Sequence, residues 1–579
     1  MNAYQPPLDL NGSWEFRFEE GALLADAANP DFKPDCTIPV PACFDALPDW
    51  YLKRGVGLYR RTFRLAADVP AAWLEVAGMG LVGSFVLDGR PVGESALPYS
   101  TLRFPTGPLA AGEHTLFVAL GNRLDEPRLT LARPYYDFYL HGGLYHGVSL
   151  AFDDRALRVR TRDIRDGTVE IEAVRFPESD FDATLLFDGR NAVPASFRGG
   201  RATVRVPDFR LWSPASPNLH TVALAPDHQD HQDHQDHQDH QDHQDHQDHP
   251  TIRTRFGIRS IEARDGRLWL NGEPLYLKGA NRHEAHPTFG SATPEAVMMA
   301  DIQNLKSIGA NFVRGAHYPQ ADRFLDLCDE NGLLVWEEAL GWGNGTSWND
   351  RRQTEFANPD FLEDNLEQAR LMVEKSFNHP SVALFGFLNE FESATPEGKA
   401  IADRIISTIR SYDSGRLVTF ACNHNGNDIS NENTDVVSFN TYPGWIGSQP
   451  GTPDELRALM ERDLAGIVRY FRSKWPDKPI LVSEMGACGE YGRHDAAGAQ
   501  WTEEFEAEYL ADAARAVGAR PEISGFTIWQ LTDCRSFHRG GADVRCKPFA
   551  ENLAGLYDGY RRAKLPVVAA VRDAFRRLP

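Results

Sequence analysis

Up to about residue 257, hydrophobic and polar positions alternate in short runs broken by turn residues, the period of half-buried β-strands. Gly57–Phe63, Ala72–Val76, Gly83–Gly89 and His114–Leu120 are of this kind, and their spacing predicts a β-sandwich over residues 1–152. A second β-rich block, residues 153–257, contains Thr168–Val174 and Ala202–Val206 and has the length of one immunoglobulin-like sandwich.

From residue 258 to 579 the pattern changes to solid apolar runs separated by stretches of helical period, the mark of parallel β/α units. Eight runs qualify as strands: Leu275–Gly279, Phe312–Gly315, Leu333–Trp336, Val382–Leu388, Leu417–Phe420, Val436–Phe439, Ile480–Ser483 and Gly525–Trp529. Eight such units predict a (β/α)8 TIM barrel. Two helix starts support it: Thr293-Pro294-Glu295 and Thr395-Pro396-Glu397 each offer an N-cap, a first-turn proline and an early acid.

One tract fits neither pattern. Residues 227–249 consist of seven DHQ triplets and a final Asp-His, between the strand-like His220–Leu224 and Thr251–Phe256. With no apolar residue it cannot bury a core, and it reads as a disordered loop insertion. It also accounts for eight of the acidic residues behind the formal charge of -22, leaving about -14 for the rest. That balance excludes nucleic acid and anionic membrane as expected partners.

The opening MNAYQPPLDLNGSW has no basic segment followed by an apolar one, and no run of eighteen apolar residues follows, so a cytoplasmic protein is expected. Seven scattered cysteines without CxxC spacing argue against a disulfide framework or a zinc site and read as mostly buried thiols.

Barrel chemistry is carried where apolar runs end. Those ends present Asn281 to Glu284, Arg314 with His317 and Tyr318, Glu337 and Glu338, Asn389 and Glu390, Asn423 and His424, Asn440 with Tyr442, Glu484, and Trp529 with Asp533. The set is rich in carboxylates, amides and aromatics, without a phosphate-cradling glycine loop, and describes a sugar site. Glu390 and Glu484 end the fourth and seventh strands, three apart around a ring of eight, where a pair of carboxylates can act as acid/base and nucleophile. Periodicity alone leaves open a pairing through Glu337 or Glu338, and it also leaves open a purely structural ion-pair layer of Glu284, Glu338 and Arg314.

At this point the residues resemble glycoside hydrolase family 2, nearest its β-glucuronidase branch. Leu10–Phe16, Val40–Phe44, Tyr59–Phe63, Arg255–Gly257, Asn271–Glu284, Phe387-Leu-Asn-Glu390 and Val482-Ser-Glu-Met-Gly486 carry the resemblance, which spans the chain apart from the DHQ tract. It implies a jelly-roll, sugar-binding-like sandwich, an immunoglobulin-like domain and a catalytic barrel. It further implies an exo-acting retaining β-glycosidase without cofactor or metal, acting on a carbohydrate; homo-oligomerisation is left open.

By the same resemblance Glu390 is the acid/base, Glu484 the nucleophile, and Asn389 the ligand of the sugar 2-OH. Tyr442 sits beside the nucleophile, Trp529 is an aromatic platform, and Arg314, His317 and His283 line the pocket. Asp137 reaches in from the sandwich.

One motif departs from the family. Its β-glucuronidases hold the substrate carboxylate with an Asn-x-Lys-Gly segment, and here Asn552-Leu553-Ala554-Gly555 lacks the lysine. Burying a carboxylate without its cation costs about 2 to 5 kcal/mol. Either Arg545 or Lys547 restores the charge and the enzyme is a hexuronidase, the preferred expectation, or the substrate is a neutral β-glycoside such as a β-galactoside. A catalytically silent carbohydrate-binding protein is the competing class, disfavoured by the presence of both glutamates.

Overall fold

The computed structural model describes residues 6–131, 137–176, 180–224, 252–346, 355–445, 450–536 and 547–579. The DHQ tract and Arg545 lie outside these residues.

The first sheet system is entirely antiparallel. Six strands run in the order Cys36–Val40, Gly12–Glu20, Gly55–Leu65, Gly112–Gly121, Val82–Leu87 and Arg90–Ser95. Four more form the facing sheet: Leu8–Asp9, Val148–Ala151, Val69–Val76 and Leu102–Leu109. Alternation along each strand supplies the core between them, where Trp14, Phe16, Tyr59, Leu74, Val76 and Val118 are buried. Burying one such aliphatic or aromatic side chain contributes about 1.5 to 3 kcal/mol.

The next two antiparallel sheets enclose their own core of Val169, Ile171, Leu185, Phe187, Phe197, Val222 and Phe256. Within Thr168–Val174 buried residues strictly alternate with half-buried ones, as the period-two reading requires. The strands flanking the DHQ tract, His220–Leu224 and Arg253–Phe256, pair antiparallel with Thr221 opposite Arg255.

The barrel strands are Leu277–Arg282, Phe312–Gly315, Leu334–Glu338, Val382–Gly386, a fifth split into Leu417–Val418 and Ala421–Cys422, Val437–Asn440, Ile480–Met485 and Ile523–Ile528. All neighbours are parallel, and the sheet begins and ends on the two halves of the fifth strand, so the ring closes.

Three sequence expectations shift. The first strand starts at Leu277 because Glu273–Leu275 is drawn into an antiparallel hairpin, pairing with Arg267–Leu270 across the left-handed Asn271-Gly272 turn. The fourth ends at Gly386, since Leu388 and Glu390 adopt left-handed backbone with φ of 44° and 52°. Gly386 is needed there, because a Cβ would meet Trp336 Nε1 at 1.9 Å.

The third concerns a helix cap. Thr395 caps the helix Pro396–Tyr412 by accepting from Gly398 N–H, as expected. Thr293 does not cap Glu295–Ser307; its hydroxyl donates instead to Glu284 Oε1 at 2.9 Å, satisfying a buried carboxylate.

The sandwich is bonded to the barrel by aromatic and polar contacts. Tyr99 stacks on Tyr318 with ring centroids 3.9 Å apart, and Phe138 lies 4.8 Å from His283.

Candidate active site

At the C-terminal mouth of the barrel, Arg314 of the second strand is fully buried and every one of its donors is used. Nε bonds Glu338 Oε2 at 2.8 Å, Nη1 bonds Asn281 at 3.0 Å and Glu484 Oε1 at 2.6 Å, and Nη2 bonds Glu338 Oε1 and Asn389 Oδ1, both at 3.0 Å. Its planar face lies 4.6 Å over Trp336, so the fork is fixed from below as well as at its edges. With no donor left for a ligand, Arg314 acts through the groups it orients. Buried Glu338 neutralises it, and Glu337 turns away to Lys375 at 2.7 Å, so neither stands free at the mouth.

Glu484 accepts from Arg314 and, through Oε2, from the Tyr442 hydroxyl at 2.6 Å. Glu390, half-buried across the mouth, accepts from Asn440 Nδ2 at 2.8 Å. Burial first, and then the charges of Glu484 and Asp137, push its carboxyl up to about 8, against the lowering effect of Asn440 and Arg314. Two glutamates in one pocket thus meet unlike surroundings: a guanidinium and a phenol at Glu484, burial and one amide at Glu390.

Asn389 Oδ1 receives both Arg314 and Asn440 Nδ2, the latter at 3.1 Å, while its own buried Nδ2 has no partner. A buried amide donor left open is costly unless something else fills it, and a sugar hydroxyl accepts there naturally. Asn440, whose carbonyl is held by Ser483 Oγ at 2.7 Å, therefore ties Asn389 to Glu390. Asn440, Asn281 and Glu338 all stand among the strand-end polar residues, but only packing reveals that they fix the others.

His317 stacks on Trp529 at 5.3 Å and 13°, and His283 meets the same indole edge-on at 5.4 Å. Burial and the nearby Arg314 charge lower His317 to about 3, and burial followed by the His317 and Arg314 charges also lowers His283, so both imidazoles are neutral. Phe138 of the sandwich covers them at 4.8 and 5.7 Å.

Lys547 and Asn552 meet on the eighth strand's side. In the amide orientation that its donors require, Asn552 accepts from Lys547 Nζ at 3.2 Å and from Trp529 Nε1 at 3.3 Å. Lys547 Nζ also lies 3.0 Å from Asp137 Oδ1. Thus Glu390, Glu484, Asn389, Tyr442, Trp529, His283, His317, Asp137, Asn552 and Lys547 converge on one mouth. Glu392 stands outside it, 3.3 Å from His424. A distant cluster with metal-like spacing, Asp326, Asp329 and His379, holds its own cations: Arg255 bonds Asp326, and His379 is raised to about 10 by the adjoining aspartates.

A closed barrel with two carboxylates in unlike environments and an amide-aromatic lining defines a glycoside hydrolase. Residues 261–533 match the TIM barrel domain of glycosyl hydrolases family 2. The barrel of this chain is thus a family 2 glycosyl hydrolase barrel domain. A β-glucuronidase of Paenibacillus borealis is 27% identical over 411 residues, covering 69% of this chain and 65% of that protein's length. A β-glucuronidase of Bacteroides fragilis is 24% identical and covers 94% of this chain and 78% of that protein. The crystal structure of a family 2 β-galacturonidase from Eisenbergiella tayi bound to galacturonate is similar over 100% of this chain and 99% of its own, with a TM-score of 0.82 at 28% identity.

Proposed function

We propose that this β-glycosidase is an exo-acting hexuronidase that works with retention of configuration. In this reading Glu484 attacks the anomeric carbon, Glu390 protonates the departing oxygen and then deprotonates the water that releases the sugar, and Asn389 holds the 2-OH. Arg314 and Tyr442 steady the nucleophile, and Trp529 packs against the sugar ring. The raised carboxyl of Glu390 supports the acid role, since it carries its proton at neutral pH.

The observation that carries the uronide reading is Lys547. Its ammonium meets Asn552 at 3.2 Å, beside the indole of Trp529, and so offers the cation that Ala554 removes from the family's motif. The galacturonate-bound relative supports the same substrate class. One feature favours a neutral sugar instead: Asp137 already pairs with this lysine at 3.0 Å. A cytoplasmic setting is part of the proposal; among the described residues no helix is long and apolar enough to cross a membrane.

Three chromogenic substrates decide between the readings: 4-nitrophenyl β-glucuronide, β-galacturonide and β-galactoside. The wild type is expected to cleave at least one uronide, and Lys547→Met to lose about 30- to several-thousand-fold in kcat/KM on it. Turnover of the galactoside alone would refute the uronide reading. Glu484→Ala should abolish turnover while the chain still folds, and turnover that persists would remove the nucleophile assignment.

A further inference from the structure

Six large hydrophobic side chains stand exposed among the described residues, and four of them, Tyr51 (49%), Tyr491 (39%), Phe549 (88%) and Tyr560 (57%), line one cleft. Exposed aromatics normally scatter; their gathering into one concavity marks a binding surface. The cleft has a volume of about 480 Å3, enough for one or two pyranose rings. Tyr51 comes from the sandwich, Tyr491 from the segment after the seventh barrel strand, and Phe549 and Tyr560 from that after the eighth.

The cleft is separate from the mouth but shares a wall with it. Cys534–Arg535 and Glu551–Asn552 form a two-stranded hairpin. Side chains alternate along it, so Glu551 and Leu553 face the cleft while Asn552 between them meets Trp529 and Lys547.

Its polar groups specify the ligand further. Arg562 lies 4.4 Å over Tyr491 and 5.8 Å from Tyr560, bracing the two rings, and it is paired with Asp558 at 2.5 Å. Arg535 is paired with Glu551 at 3.1 Å. Both lining arginines are thus neutralised, and Glu490 is itself paired with Arg493 at 3.6 Å. An anionic sugar would find no unpaired arginine here. A neutral pyranose offers an apolar C–H face to the rings and hydroxyls to the carboxylates and guanidinium groups.

We propose that this cleft is an accessory, non-catalytic site for neutral pyranose residues of an oligosaccharide, bringing glycans to the enzyme next to its catalytic mouth. The inference rests on the family's carbohydrate chemistry and not on the hexuronide reading. A protein that binds neutral oligosaccharide yet cleaves no uronide would overturn that reading and leave this one standing.

The test is titration calorimetry of the full chain with xylopentaose, cellopentaose and β-1,4-galactopentaose, alongside the variant Tyr491→Ala/Tyr560→Ala. At least one pentaose is expected to bind the wild type with millimolar or better affinity, and the variant to weaken it by about tenfold, as loss of two stacking faces implies. The variant should keep kcat/KM on the 4-nitrophenyl substrate that the wild type cleaves, and it should keep the wild-type melting curve. Absence of binding by all three pentaoses, or binding that the variant leaves untouched, overturns the site. Conversion of an oligomer to a monomer by the variant in sedimentation also overturns it, since the cleft is then an interface between copies.

Discussion

Glu390 and Glu484 carry the same group and differ only in what surrounds them. Glu484 faces a guanidinium and a phenol, whereas Glu390 faces desolvation and the charge of Glu484, eased by one amide of Asn440. With Glu390 raised to about 8, kcat/KM should be level through neutral pH and fall as pH rises past that value, because the proton for the leaving group is lost. Asn440 stabilises the ionised form, so Asn440→Ala raises Glu390 further and moves the alkaline limb to higher pH. It also frees Asn389, and together these losses should lower kcat/KM by about 10- to 100-fold at pH 7. A pH–rate profile of the variant with the limb unmoved would refute the coupling. The identities of both glutamates are legible in the chain from the apolar runs that precede them. Their difference is not, because it arises between strands four and seven, nearly a hundred residues apart in sequence.

The same division holds for elements. Eight apolar runs yield eight barrel strands, since a strand buried on both faces must be continuous in hydrophobicity. Strand ends are missed where a competing local geometry intervenes: the Asn271-Gly272 hairpin claims Leu275, and left-handed backbone at Leu388 and Glu390 stops the fourth strand early. Thr293 shows the tertiary override of a cap, because a buried carboxylate bids for its hydroxyl more strongly than a helix end exposed to water. A junction that no local pattern announces joins the second barrel helix, Asp322–Asn331, to the lead-in of the fourth strand. His379 Nδ1 lies 2.6 Å from Asp329 and Nε2 3.2 Å from Asp322. Its folded-state value is raised to about 10 from an ordinary 6.5, against burial, by those two aspartates. A raised histidine contributes its stability fully below the unfolded value, and that contribution is lost as pH rises through the folded one. The window here is pH 6.5 to 10, and the effect is on the order of a few kcal/mol. His379→Gln should therefore lower the urea midpoint at pH 6 much more than at pH 10. Equal losses at both would show that packing, not charge, is what His379 provides.

At the scale of the whole molecule, the catalytic mouth is a joint product of barrel and sandwich. Phe138 covers both site histidines and Asp137 pairs with Lys547, so the N-terminal sheets complete a pocket that the barrel alone leaves open. Among the described residues, the second sheet system supplies no side chain to that mouth, and it keeps a separate core. The DHQ tract is inserted there, between two strands whose antiparallel register is complete up to Ala223 opposite Arg253. Its position therefore argues against a part in turnover, as its composition argues against a core. Deleting residues 227–249 would leave Ala225, Pro226, Pro250 and Thr251 as a four-residue connection, within the ordinary range for a hairpin. Closing a loop of that length in place of the present one costs roughly 1 to 2 kcal/mol less in chain entropy, so the deletion should raise the thermal midpoint slightly. It should also leave kcat/KM within about twofold, since the tract holds no apolar residue and none of the residues that meet at the mouth. The measurement is a melting curve and a kcat/KM determination on full-length and deleted chains at equal concentration. A lower midpoint would mean that the two prolines strain the shortened turn or that the tract packs on the sheets. A loss of activity with the midpoint preserved would assign the tract a part in catalysis that neither its sequence nor its attachment point suggests.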